Sequence, residues 1–112
     1  MRIAVPVTNG QLATHFGHCE QFMLVKVDQQ TKTILKTQSL TPPPHEPGVL
    51  PAWLHKQGAQ VIIAGGMGQR ALSLFAENGI SVVVGVLPEP YEALIHAYLD
   101  GSLQTGANVC DH

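Results

Sequence analysis

Apolar positions along this chain follow three rhythms. Residues 2–7 and Val61-Ile62-Ile63-Ala64 are short, continuous apolar runs, the pattern of strands buried on both faces. Residues 21–28 (Gln-Phe-Met-Leu-Val-Lys-Val-Asp) and 33–39 predict two further strands, joined by a polar turn at Gln29 to Lys32. Ile80 to Gly85 predicts the last strand. A helical period governs the rest: roughly 50–57, with Pro51 in its first turn and Gly58 as its stop, and 68–78, with Ala71, Leu72 and Phe75 on one face and Gly79 at its end. Tyr91, Leu94, Ile95, Tyr98 and Leu99 form an i, i+3, i+4, i+7, i+8 stripe closed by Gly101. Between the third strand and the first helix, Pro42, Pro43, Pro44 and Pro47 exclude helix and inner strand.

The connections fix a topology. The first three strands are linked without helices, so neighbours run antiparallel. The last two arrive through helical crossovers, so they run parallel to the first. The expected fold is α/β: one domain with a five-stranded mixed sheet in the order 3-2-1-4-5, flanked by helices, as in ribonuclease-H-like sheets. Residues 1–101 form this domain and 102–112 a C-terminal tail. Loops at 8–20, 40–48, 65–68 and 85–90 then share one edge, and the switch point between strands 1 and 4 is where open α/β sheets bind ligands.

Composition narrows the function classes. The chain has 112 residues, 45% of them apolar, 12% charged, and a net charge of −2 with no Lys/Arg run. That excludes a nucleic-acid footprint. No stretch approaches a membrane span. Met1-Arg2 leads directly into the first strand without a signal-type apolar segment, so a cytoplasmic protein is expected, as a monomer or weak homo-oligomer. In that compartment Cys19 and Cys110 are thiols or ligands rather than a structural disulfide.

Soft ligands concentrate at the switch-point loop, where Thr8 to Glu20 holds His15, His18 and Cys19. Imidazole and thiolate favour zinc, copper(I) or iron–sulfide species. The alternative is that Phe16 anchors the loop and both histidines face water. Cys110 and His112 complete a Cys₂His₂ set if the tail folds back over the sheet. An extended tail of eleven residues just spans that distance at ~3.3 Å per residue. His45 lies in the proline loop, while His55 and His96 sit inside helices, where solvated positions are the ordinary case.

Ala64-Gly65-Gly66-Met67-Gly68-Gln69-Arg70-Ala71 joins a strand to a helix. It is neither a dinucleotide fingerprint nor a P-loop, because no ribose-binding acid and no Lys-Ser/Thr follow it. Glycine-turn amides at a helix start nevertheless suit an anion, and Arg70 adds positive charge there. Glycines that merely let the chain turn are the simpler alternative. A ribonuclease-H-type nuclease is excluded, because Ile3-Ala4-Val5-Pro6-Val7 and the fourth strand carry no carboxylate for two metal ions.

Three segments resemble the dinitrogenase iron–molybdenum cofactor biosynthesis family of NifX/NafY type. They are Met1-Arg2-Ile3-Ala4-Val5-Pro6-Val7, His15-Phe16-Gly17-His18-Cys19-Glu20-Gln21-Phe22 and Val61-Ile62-Ile63-Ala64-Gly65-Gly66-Met67-Gly68. The resemblance implies a ribonuclease-H-like domain that is not an enzyme but binds or carries an iron–molybdenum cofactor precursor or a related cluster, including the molybdenum–copper type. It also implies that donor and acceptor proteins of a metallocofactor pathway are partners, and that the histidine of His-Phe-Gly, here His15, contacts the cluster. The cofactor-binding set expected is therefore His15, Gly65, Gly66, Met67, Gly68 and Arg70. The metal-ligating set is His15, His18, Cys19, Cys110 and His112. Two other readings compete: a regulatory or interaction module with one Zn, Cu or Fe ion at its His and Cys residues, and a small-anion-binding enzyme built on the glycine loop.

Overall fold

The computed structural model describes residues 1–13, 19–44 and 48–106. In chain order the elements are β1 (Arg2–Thr8), β2 (Gln11–Leu12), β3 (Gln21–Asp28), β4 (Thr33–Leu40), α1 (Val49–Lys56), β5 (Val61–Ile63), α2 (Gln69–Glu77), β6 (Ser81–Val83) and α3 (Tyr91–Asp100). The main path of the sheet runs β4-β3-β1-β5-β6, with β3 antiparallel to β1 and β4, and β5 and β6 parallel to β1. This is the expected strand order, with one correction: the sheet has six strands, not five, because β2 also pairs with β1.

Strand alternation builds two apolar layers. Ile3, Val5 and Val7 of β1, with Val25, Val27, Val61 and Ile63, face α3 through Leu94 and Ile95. Ala4, Phe22, Leu24 and Ile62 face the other way, against Leu50 and Leu54 of α1 and Phe75 of α2. Both faces of the central strands are covered, which is why β1 and β5 read as unbroken apolar runs. β4 lies at an edge and is mostly exposed. Its register slips between Lys26 and Val27, passing over Leu35, which is 57% exposed. Such a bulge twists an edge strand and discourages pairing with other chains.

The sixth strand follows from local chemistry. Asn9 and Gly10 have φ of 56° and 77° between β1 and β2. Positive φ at both central residues is the requirement of the tight hairpin turn that Asn-Gly favours. Val7 pairs with Leu12 of β2 on one side and with Gln21 of β3 on the other, so β2 lies on the β5 side of β1. That side is therefore shared: Ile3 and Ala4 pair with β5, and Val7 and Thr8 pair with β2. Pro6 marks the changeover, since it has no N–H to continue a ladder.

Candidate functional site

The shared side of β1 shapes the switch point. Beyond Ala4 and Ile62 the β1–β5 ladder stops, and β2 takes the place where β5 would continue. The far side of β2 is held in turn by the segment after β6: the Leu12 N–H donates to the Glu89 carbonyl at 2.9 Å, and Gln11 bridges to Pro90. The Tyr91 N–H, at the start of α3, donates to the Gly10 carbonyl at 3.3 Å. The hairpin is thus tied at three points to residues 89–91, where the chain enters α3.

Both flanks of residues 14–18 are fixed at this point. The Ala13 N–H donates to the Pro6 carbonyl at 2.8 Å, and the Glu20 N–H to the Val7 carbonyl at 3.0 Å. The Glu20 carboxylate closes the arrangement by accepting from the Asn9 N–H at 3.0 Å. The segment carrying His15 and His18 consequently departs from and returns to two consecutive residues of β1, at the carboxyl end of the central strand. His15 and His18 themselves lie outside the described residues, as do His45, Cys110 and His112.

The glycine turn follows β5 at its carboxyl end, and β5 runs parallel to β1. Among the described glycines, left-handed φ occurs at Gly10, Gly48, Gly58, Gly79, Gly85 and Gly101, and not at Gly65, Gly66 or Gly68. Backbone strain therefore does not explain the glycines of the turn. Met67 is 1% exposed and inserts into the α1/α2 core, pinning the turn at its middle. The Gly65 carbonyl accepts from the Gly85 N–H at 3.0 Å, whereas the N–H groups of Gly65, Gly66 and Gly68 donate to no described backbone carbonyl. The N-terminus of α2 has no capping side chain and no acid in its first turn. Arg70 is exposed in that turn. Uncapped amides and a nearby guanidinium give this corner an electropositive character.

Of the expected metal-ligating set, Cys19 alone falls among the described residues. It is a half-buried free thiol packed against the cluster of Phe22, Leu50 and Leu54, where Phe22 also meets the Trp53 ring edge-on at 5.8 Å. Burial pushes its pKa up to about 11, partly offset by a backbone hydrogen bond. At neutral pH it is a thiol, and a metal bound there must first displace the proton. Among the described residues no three His, Cys, Asp or Glu side chains converge on a metal position. In a Cys110→Ser background, alkylation of Cys19 should reach half its maximal rate near pH 11. At pH 8 it should run on the order of a hundredfold slower than for a free thiol of pKa ~8.5. A profile with its midpoint near pH 8.5 would mean that the thiol is solvated. The raised pKa also makes the contribution of Cys19 to stability complete below about pH 9 and lost as pH rises towards 11, a decline that Cys19→Ala should remove.

The tail is partly placed. Gly101 reverses the chain with φ of 81°, and the Ser102 and Leu103 N–H groups both donate to the Ala97 carbonyl. Leu103 packs into the α3-side core, and the Gly106 N–H donates to the Gly85 carbonyl at 2.7 Å. Residues 102–106 therefore return from the end of α3 to the loop after β6. His55 and His96 are exposed on their helices. Residue-by-residue reading passed over Asn9, Glu20, Gly85 and Gly106, and of these only the Asn9-Gly10 dipeptide carried a local signal.

Comparison with known proteins agrees with this architecture. The family model described as dinitrogenase iron-molybdenum cofactor matches residues 1–101. The uncharacterized protein MJ0580 of Methanocaldococcus jannaschii is 32% identical over 108 residues, covering 93% of this chain and 90% of that one. The crystal structure of PH0822 superposes with a TM-score of 0.85 at 29% identity, covering 95% and 96% of the two chains. The apo form of the orange protein from Desulfovibrio gigas has a TM-score of 0.76 at 24% identity, over 96% and 93%, a likeness of fold.

Proposed function

The chain belongs to the dinitrogenase iron–molybdenum cofactor family, and from that premise we propose that it is a non-catalytic carrier of an anionic metal–sulfide cluster, of the iron–molybdenum precursor or molybdenum–copper type. The cargo sits at the switch point. His15 is its principal protein contact, His18 lies three residues along the same loop, and the amides of the glycine turn with Arg70 face the sulfides. Donor and acceptor proteins of a metallocofactor pathway load and unload it.

One observation supports this reading: both flanks of the histidine-bearing segment are fixed on Pro6 and Val7 towards the carboxyl end of β1, and β5, parallel to β1, leads through the glycine turn into a helix start with neither a side-chain cap nor an acid in its first turn. Bridging sulfides carry negative charge and accept weak hydrogen bonds, so backbone N–H groups and a guanidinium suit them. An imidazole supplies the directional metal bond, and fixed loop ends reduce the ordering cost of making it. No described acid–base pair offers a rival chemistry, and the carboxylate of Glu20 is committed to the Asn9 amide.

The experiment is an anaerobic titration with tetrathiomolybdate, a small metal–sulfide anion, followed by the fluorescence of the single tryptophan, Trp53. Trp53 packs on Phe22, three residues from Cys19, so it reports on the end of the loop. Saturable quenching is expected. Arg70→Glu should weaken binding roughly severalfold, the scale of an exposed charge pair, and added salt should shrink that difference. Quenching that never saturates, or that is indifferent to Arg70, would count against the site.

A further inference from the structure

We propose that the strap formed by residues 102–106 is a latch on the glycine turn: Leu103 and Gly106 hold Gly85, Gly85 holds Gly65, and opening of the latch with the core still folded loosens the turn and releases its anion. The link from strap to turn stands on contacts among residues 65, 85, 103 and 106. Its effect on an anion rests on the reading of the glycine turn as part of the cargo site.

Gly85 joins the two ends of the link. Its N–H donates to the Gly65 carbonyl at 3.0 Å, and its carbonyl accepts from the Gly106 N–H at 2.7 Å. In a regular strand both backbone groups of a residue face one neighbour, whereas φ of +79° lets Gly85 serve two. The Val86 N–H donates to the Ala64 carbonyl at 3.3 Å, so this stretch extends the pairing of β5 and β6 up to the turn. A Cβ on Gly85 would collide with the Gly106 backbone. Glycine is therefore required there twice, once for the backbone conformation and once for the close approach of the strap. Gly85 is buried, so its carbonyl has the Gly106 N–H in place of water. Loss of that donor leaves a desolvated acceptor until the strap moves away and water enters.

The strap is lightly held at its far end. The Ser102 and Leu103 N–H groups close on the Ala97 carbonyl at the end of α3, and Leu103 is half-buried against the α3-side core. Gln104, Thr105 and Gly106 are exposed, and among the described residues the clasp on Gly85 is their one backbone hydrogen bond. A segment with one apolar anchor and one terminal hydrogen bond opens at far lower cost than a sheet covered on both faces. The turn, by contrast, is held from two sides. Gly85 fixes Gly65 at its start, and fully buried Met67 fixes its middle. Opening the strap weakens the first hold and spares the second, so Gly65 and Gly66 gain freedom while α2 stays docked. The same loop continues to Glu89 and Pro90, which hold β2, so the release extends to the hairpin. A carrier needs a closed state that keeps its cargo and an open state reached without unfolding, and the clasp separates two such states.

Two substitutions at one exposed residue test the latch in the full chain. Gly106→Pro removes the N–H that grips Gly85. Gly106→Ala keeps it, since a Cβ there would lie 3.6 Å from the Gly85 oxygen, an ordinary contact. Residue-resolved amide hydrogen exchange of the cargo-free protein is the first readout. The Gly85 amide should exchange about fivefold faster or more in Gly106→Pro, the scale of one lost hydrogen bond, with the amides of β1 and β3 unchanged. Gly106→Ala should match the parent, and Leu103→Ser, which frees the strap from its apolar anchor, should act like Gly106→Pro. The second readout is the dissociation rate of tetrathiomolybdate, which should rise severalfold in Gly106→Pro and Leu103→Ser and stay unchanged in Gly106→Ala. Unchanged Gly85 exchange in both strap variants would overturn the proposal, as would acceleration shared equally by β1 and β3, because the strap would then open only with the whole fold. Faster Gly85 exchange with an unchanged dissociation rate would overturn it too, by separating the strap from the anion. Failure of the parent to bind tetrathiomolybdate at all would discard the cluster-carrier reading and with it the release of an anion, while the exchange rates would still decide whether the strap holds the turn.

Discussion

His15→Ala should give a protein that folds like the parent and retains little of its cluster. The substitution falls between two hydrogen-bonded anchors, Ala13 to Pro6 and Glu20 to Val7, and neither involves the imidazole. A replacement in a loop costs within about 0.5 kcal/mol when it breaks no buried contact, so thermal unfolding should hardly move. Cargo affinity is another matter. Removing a group that merely orients a metal ligand typically costs 10–100-fold, so deleting the ligand itself should cost at least about tenfold. The measurement is cluster retained per chain after anaerobic gel filtration, set beside a thermal melt. A folded His15→Ala protein that holds its cluster as firmly as the parent would remove His15 from the site.

The largest effect on stability should come from Phe75→Ala, at about 3–5 kcal/mol by the general cost of truncating a buried aromatic. Phe75 is fully buried and joins α2 to the sheet layer formed by Ala4, Phe22 and Ile62. It also helps determine the position of the α2 N-terminus, where the glycine turn lies, with Met67 anchoring the other end of the same corner. Denaturant unfolding should show the loss, and Phe75→Leu should recover much of it because it refills most of the volume. If the fold survives Phe75→Ala, tetrathiomolybdate binding should also weaken, since the amides facing the anion are no longer held in place. A cost below about 1 kcal/mol would mean that α2 is held mainly by other contacts.

The strands and helices were legible because burial on both faces leaves a strong mark in sequence. β1 and β5 are continuous apolar runs, β3 has apolar residues on both faces, and Tyr91 to Leu99 carries an unambiguous stripe. Strand order followed from whether each connection contains a helix. What escaped was β2, two residues long and too short for any period. Its signal lay in Asn9-Gly10, a turn dipeptide inside what otherwise reads as one long loop. Recognising it changes the picture of this sheet edge, since the histidine-bearing loop shortens and its flanks become fixed.

Other features could not be read locally. The surroundings of Cys19 depend on Phe22 and α1, so the burial that raises its pKa leaves no mark in the residues beside it in sequence. The clasp of Gly85 and Gly106 joins residues twenty-one positions apart, and neither has a side chain to advertise the contact. At the glycine turn, φ at Gly66 is not left-handed, so its conformation is one that any residue could adopt. Backbone amides and space, rather than strain, are what that corner supplies.

The central claim, that this chain carries a metal–sulfide cluster, is tested most directly by purifying it without oxygen and counting iron, molybdenum, copper, zinc and acid-labile sulfide per chain. The account predicts metal accompanied by inorganic sulfide, both lost together in His15→Ala. A stoichiometric metal ion with no inorganic sulfide would contradict it, and would make the His and Cys residues of this edge the ligands of a single structural or sensory ion.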